Sequence, residues 1–367
     1  MDIGAAPVQA PGMSFESFET LVREEFAPRT TYLNTASSGI GPRRAAEALR
    51  QGTGRWADGT DSFEDNEATV AAVRGAYARL TGVAPERVAV GSAVTTHVGL
   101  IAAGLPRGAE VIVADGDFSS LVNPFATRPD VTLRIVPLEG IADAVRPGTS
   151  LVAVSAVQSA DGRVADLPSI REAAAAHGAR VLLDATQAVG WLPVAGAAYD
   201  YVVCGGYKWL LCPRGVSFLT VREGADDWVS PHFVGWYAAE DPWGECYGPI
   251  AETAHSARRY DVMPPFLLHL AGAASLSLIE ELGVPAIGAH DVALAERFRS
   301  GVQRLGHKAV PSGAAPSAIV SVPGLGDAAA ALTAAGIRVA ARAGHLRAAF
   351  HLYNGTADVD RLLAALA

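Results

Sequence analysis

The sequence predicts an α/β fold with a mostly parallel sheet covered by helices, joined to a smaller C-terminal α+β domain. Three observations carry this prediction. Between Val88 and about Thr220, short apolar β-branched runs alternate with alanine-rich stretches long enough to cross from one strand to the next. Several of those runs are apolar on both faces, as strands buried between two helical layers must be. After Arg222 the alternation stops, and an aromatic, Gly- and Pro-rich stretch leads into two long amphipathic segments and a compact terminal unit.

In chain order, strands are expected over 88–90, 110–114, 132–136, 151–157, 180–183, 201–204 and 216–221, with crossover helices over 95–103 and 168–177. The segment 228–260 is too long and too rich in Trp and Tyr for a plain linker, so it reads as functional or interfacial. Helices over 265–282 and 284–305 follow. A strand over 318–322, a helix over 327–335, strands over 337–341 and 346–350, and a helix over 358–366 complete the chain. We read an N-terminal segment (1–30), a large domain (31–265) and a small C-terminal domain (266–367).

The bulk numbers narrow the function classes. Half of the 367 residues are hydrophobic and 18% are charged, which excludes a disordered chain. The formal net charge of -9 and the absence of a basic run speak against a nucleic-acid partner. No stretch approaches the roughly 20 consecutive apolar residues that span a bilayer. The first residues are Pro-interrupted and carry Glu16, Glu19, Glu24 and Glu25, unlike a secretory signal, so a cytoplasmic location is expected. Cys204, Cys212 and Cys246 lack ligand-like spacing and read as buried thiols, with Cys246, in an aromatic loop, as an alternative nucleophile, and no metal site is expected.

One count is unusual. The chain has 29 basic residues, yet only Lys208 and Lys308 are lysines. Arginine replaces lysine wherever only a positive charge is needed, but a guanidinium cannot shed its proton and attack a carbonyl as an amine can. Lys308 lies in a polar junction and reads as a solvated surface residue. Lys208 directly follows an apolar strand, where a chance surface lysine is not expected.

Open parallel sheets bind ligands at the carboxyl ends of their strands. There the sequence sets Asp184 to Gln187 after one strand, Tyr207-Lys208 after another, and Ser92-Ala93-Val94-Thr95 at the start of a helix. Taken singly each has a structural role open to it: Asp184, Ser92 and Thr95 could each cap a helix. Together, an anion-binding helix start, a carboxylate and a Schiff-base lysine describe a site for pyridoxal 5′-phosphate, with an aldimine on Lys208 and a ring nitrogen held protonated by Asp184.

These residues also carry a resemblance. Asp184-x-x-Gln187, Tyr207-Lys208-Trp209-Leu210, Pro213-Arg214-Gly215, the opening Tyr32-Leu33-Asn34-Thr35-Ala36 and the closing Leu346-Arg347-x-x-x-His351-x-Tyr353-Asn354 resemble the class V aminotransferase family of fold-type I pyridoxal-phosphate enzymes. That group includes cysteine desulfurases, kynureninase and isopenicillin N epimerase. The resemblance implies a three-layer fold-type I architecture and a homodimer with shared active sites, for which segment 228–260 is the candidate surface. It implies that Phe118 stacks on the cofactor ring where relatives often have His, that Gln187 meets the phenolic oxygen, and that Tyr207 reaches the phosphate. Gly205 stands where relatives commonly have Ser, and Met263-Pro264 where they often have Gly-Thr. Arg347 is implied as the binder of the substrate carboxylate, with Arg342 as the near alternative and Asn34 as a further substrate contact. His97 and His351 read as residues that satisfy local hydrogen bonds.

The reaction expected is that of a pyridoxal-phosphate enzyme on an amino acid, in which Lys208, once displaced, carries the α-proton whose loss gives a quinonoid. An aminotransferase-like outcome leads. A C–S or β-eliminating lyase, a desulfurase or an epimerase on the same scaffold is the alternative, and a non-catalytic pyridoxal-phosphate-binding protein is the alternative of another class. No cysteine lies beyond Cys246, which disfavours a persulfide-forming desulfurase with its nucleophile in the small domain.

Overall fold

The computed structural model describes residues 15–367; residues 1–14 of the expected N-terminal segment lie outside the described residues. Helices α1 (Phe15–Glu25), α2 (Arg43–Asp58) and α3 (Phe63–Thr81) precede the main sheet, with the short strand β1 (Thr31–Tyr32) after α1. Capping chemistry sets their limits. The Asp65 N–H donates to the Ser62 hydroxyl at the start of α3, and Gly59 and Gly82 close α2 and α3 in the left-handed region.

Strands β2 (Val88–Gly91), β3 (Glu110–Ala114), β4 (Thr132–Val136), β5 (Thr149–Ser155), β6 (Arg180–Asp184), β7 (Tyr201–Gly205) and β8 (Ser217–Val221) form one sheet in the order β2-β8-β7-β6-β5-β3-β4. Only β8 runs against its neighbours; the other pairings are parallel. Between the strands lie α4 (Val94–Gly104), α5 (Ser119–Ala126), α6 (Ile141–Ala144) and α7 (Leu167–His177). Successive residues of the central strands feed opposite cores: Val152, Val154 and Leu183 enter one, Leu151, Ala153 and Leu182 the other. The expected mostly parallel α/β sheet, covered on both faces, is what the chain forms.

Register positions the site. Ser155 pairs with Asp184 and Asp184 with Val203, so the carboxyl ends of β5, β6 and β7 are level. Gly91 and Gly205 both pair with Ser217, which brings the end of β2 level with the end of β7 on the same sheet edge.

The chain then passes through 3₁₀ turns at Asp226–Trp228, Trp236–Ala238 and Ala257–Tyr260 into α8 (Phe266–Leu282), which packs on α2 and α3, and α9 (Val284–Arg304). The terminal unit holds β9 (Ile319–Pro323), α10 (Ala328–Ala334), β10 (Ile337–Arg338), β11 (Ala340–Arg342), β12 (His345–Ala349) and α11 (Thr356–Leu366). The single strand expected over 337–341 is in fact two. β10 pairs in parallel with β1, whereas β11 forms a hairpin with β12 through Ala343 and Gly344, both at positive φ (48° and 77°). The cause is long-range: residues 31–34 add an edge to this unit, Leu33 enters its core, and Asn34 bridges Ala349. That junction sets Asn34 and Ser37 beside β12. Among the described residues, no single helix is long and apolar enough to cross a membrane, and no group of three or more His, Cys, Asp or Glu side chains could hold a metal ion.

Candidate active site

Lys208 follows β7 and is buried, yet its Nζ makes no hydrogen bond or ion pair among the described residues. The amine lies 5.3 Å from the Phe118 ring centroid and 5.7 Å from that of Tyr207. Burial pushes its pKa down to about 8, and the nearby Asp184 carboxylate opposes that shift only in part. The loop is held rigidly. The Gly39 N–H donates to the Tyr207 carbonyl at 2.9 Å, and a Cβ at residue 39 would fall 2.1 Å from the Lys208 carbonyl, so glycine is required there. Next door, the Trp209 Nε1–H donates to Gln187 Oε1 at 2.8 Å, while the Trp209 carbonyl lies 3.0 Å from His351 Nε2, whose Nδ1 meets Asp291 at 2.8 Å. His351 is thus a strut from the terminal unit to the lysine loop.

Asp184 ends β6. Its carboxylate accepts the Thr186 N–H at 2.9 Å and faces no arginine; burial raises its pKa. It caps no helix. The Thr186 hydroxyl accepts the Gly205 N–H at 3.0 Å, and a Cβ at residue 205 would meet the Tyr207 ring at 3.1 Å, so a serine there would crowd that ring. Gln187 donates to the Ala36 carbonyl at 2.9 Å and to Ser159 Oγ at 3.0 Å, and accepts from Trp209, so its amide is engaged within the protein.

At the start of α4 the N-cap is Ala93, with no side-chain cap, and Ser92 and Thr95 are exposed. Their hydroxyls therefore do not serve the helix, and the first N–H groups of α4, from Val94 on, face outward at the sheet edge. His97 is buried deeper in α4, with Nε2 3.0 Å from Ser217 Oγ, and burial holds its pKa down to about 4. Phe118 is 44% exposed, a high value for a phenylalanine at a loop base. Its backbone is fixed by Asp117, which accepts from the Phe118 N–H, the Ser155 N–H and hydroxyl, and Gln158.

Arg347, on β12, is 1% exposed. One terminal nitrogen donates to the Ser159 carbonyl and hydroxyl; the other donates to Ser37 Oγ at 2.7 Å and Asn34 Oδ1 at 3.4 Å. No carboxylate touches it, and its buried Nε has no partner. Burial, with Arg342 adding to it, lowers its pKa to about 10. Arg342, exposed on the hairpin, donates to the same Ser37 hydroxyl at 3.4 Å. Ser37 and Ser159 thus join Gln187, Arg347, Arg342 and Asn34 into one polar network, and neither serine was anticipated from the sequence. Ser159 follows the carboxyl end of β5, so the strand-end rule that picked Asp184 also reaches it; Ser37 carries no local signal. A groove of about 750 Å³ lined by Arg171, Arg180, Asp200 and Arg222 lies at the amino end of β6, remote from these groups.

The donor set fits pyridoxal 5′-phosphate. A buried amine without a partner, a buried carboxylate facing no guanidinium, an exposed aromatic face and uncapped helix N–H groups share one sheet edge. The cost of leaving these groups unpaired is what a matching ligand removes.

Comparison with known proteins agrees. Residues 62–362 match the family model described as aminotransferase class-V. An uncharacterized aminotransferase, YcbU, of Bacillus subtilis is 29% identical over 229 residues, 59% of this chain and 60% of that protein. The isopenicillin N epimerase of Streptomyces clavuligerus is 32% identical over 244 residues, 61% of each chain. This chain thus spans about three fifths of the length of these curated relatives. Among solved structures, the cystine C-S lyase C-DES, in complex with its product cysteine persulfide, superposes with a TM-score of 0.83 at 24% identity, covering 92% of this chain and 97% of that one. At that identity the likeness concerns the fold. The family model covers most of the chain and the fold agrees with it, so the chain belongs to the class-V aminotransferase family, with the α/β fold of pyridoxal 5′-phosphate-dependent enzymes.

Proposed function

We propose that this chain is a pyridoxal 5′-phosphate-dependent enzyme, a transferase or lyase, that acts on an amino acid by moving the proton on its α-carbon. The observation that supports this most is the presence of two buried basic groups that meet no carboxylate: Lys208, with its pKa pushed down to about 8, and Arg347, whose partners are all neutral and whose Nε has none. Bound in this cleft, the cofactor supplies an electron-withdrawing ring that stabilises negative charge at the substrate's α-carbon. Lys208 provides its amine for attachment and for proton transfer at that carbon. Asp184 holds a proton at the ring nitrogen, the Phe118 face stacks on the ring, and Ser92, Ala93, Val94 and Thr95 at the α4 start receive the phosphate beside Tyr207. Arg347 takes the α-carboxylate, assisted by Asn34. Gln187, through Trp209, keeps the lysine loop in place, and its reach to the phenolic oxygen requires it to release Ala36 or Ser159.

Arg347→Met tests the carboxylate role. Methionine fills similar volume and removes a charge from the interior, but it leaves the Ser159 carbonyl, Ser37 and Asn34 without their donor, so the fold is expected to be kept with a modestly lower thermal midpoint. Amino-acid affinity is expected to fall by about 3 kcal/mol, roughly a hundredfold, because the substrate carboxylate then enters a buried site without a partner. Titration of the holoenzyme by absorbance reads this; unchanged affinity refutes the assignment.

The lowered pKa of Lys208 sets a pH dependence. Only the neutral amine is nucleophilic, so cofactor loading of the apoprotein should accelerate as pH rises through about 8 and then level off. A loading rate flat across that range argues against Lys208 as the attaching group.

A homodimer belongs to the same reading. Phe233, Trp243, Tyr247 and Met263 are exposed, all within or just after the aromatic segment, and Trp243 packs edge-on to Phe63 at 4.7 Å. Exposed large apolar groups gathered in one stretch mark an interaction surface. Sedimentation should give twice the 37.9 kDa chain mass, and Trp243→Glu should shift it toward monomer.

A further inference from the structure

We infer that the substrate carries a second anionic group besides its α-carboxylate, held by Arg342 with Arg214 at its flank; this rests on the reading of the site as one for an amino acid. Three guanidinium groups converge on a single residue, Ser37. Arg347 and Arg342 both donate to its hydroxyl, and Arg214 donates to its carbonyl at 3.3 Å. None of the three is ion-paired among the described residues, although the chain carries nine more acidic than basic residues and most of its other close arginine contacts to side chains are to carboxylates.

Such a cluster is self-repelling, and Arg342 itself disfavours the charged form of Arg347. A ligand with one carboxylate relieves the buried Arg347 and leaves Arg342 and Arg214 unmatched. A ligand with two relieves both. The two arginines differ in depth as such a substrate requires: Arg347 is buried with its Nε unpaired, while Arg342 is exposed beside the hairpin tip. Nor is that tip a loose loop, since the Gly326 N–H donates to the Gly344 carbonyl at 3.1 Å and pins it. Arg214 is stacked on the Tyr207 ring, 4.1 Å from its centroid, so its head is also held in place. The chemistry recognised is that of a dicarboxylic amino acid or one with a sulfinate side chain.

The test is absorbance titration of the purified holoenzyme with L-aspartate, L-glutamate and L-cysteine sulfinate against the isosteric amides L-asparagine and L-glutamine. At least one acid is expected to bind about tenfold or more tightly than its amide counterpart. That ratio should collapse toward one in Arg342→Gln and shrink at high salt in the unaltered protein. Aspartate against glutamate reports the distance to the second anion, and the sulfinate separates geometry from charge. Amides that bind as tightly as the acids, acids that cause no spectral change, or a ratio unchanged by Arg342→Gln overturn the inference while leaving the cofactor reading intact. Protein that carries no visible cofactor band overturns that reading, and this inference with it.

Discussion

Lys208→Ala is expected to lose turnover by about four orders of magnitude and to lose covalent attachment of the cofactor, while the protein stays folded. The reasoning separates function from stability. A buried lysine with no hydrogen bond does little for the fold, because its amine is desolvated without a partner. Its removal leaves a cavity at the sheet edge but relieves that desolvation, so the thermal midpoint should move by only a few degrees. Activity has no such substitute. Lys308, the other lysine, lies in a turn after α9, in a different part of the molecule from β7. The remaining cations near the site are arginines, which neither attach to a carbonyl nor give up a proton at working pH. A variant that keeps either the visible band of attached cofactor or substantial turnover with any amino acid contradicts the role.

Asp184→Asn is expected to reduce turnover by about two to three orders of magnitude while leaving cofactor bound. The change conserves shape and preserves the acceptor for the Thr186 N–H, so the β6 end should keep its geometry. What it removes is the negative charge that holds a proton at the ring nitrogen, and with it the stabilisation of charge at the substrate's α-carbon. Asp184→Ala should lose nearly all turnover and also weaken cofactor binding. Kinetics on both variants, beside absorbance to count bound cofactor, separates the two effects. An Asn variant as active as the parent excludes the electrostatic role.

The extent to which the site was legible follows the range of its interactions. The apolar runs at β5, β6 and β7 declare themselves locally, since strands covered on both faces cannot hide their composition, and the strand-end rule then points at Asp184 and Lys208. Ser37 is different. It matters because β1 and the following residues cross to the terminal unit and lie against β12, a pairing more than 300 residues apart in sequence. The split of the expected 337–341 strand has the same origin, because one half answers to β1 and the other to β12. Gln187 shows a further limit: its motif position was readable, but not that Trp209, Ala36 and Ser159 would engage its whole amide. Three helices, α1 to α3, preceded the region whose alternation announced the fold, though Ser62 and Gly82 flank α3 as a cap and a stop.

Two lysines in 367 residues make one measurement unusually decisive. Borohydride reduction of the purified holoenzyme, followed by proteolysis and mass spectrometry, reads which amine carries the cofactor. The expected result is a pyridoxyl adduct on the peptide containing Tyr207, Lys208 and Trp209, with Lys308 unlabelled. An adduct on Lys308 alone, or none on either lysine, would contradict the proposed active site.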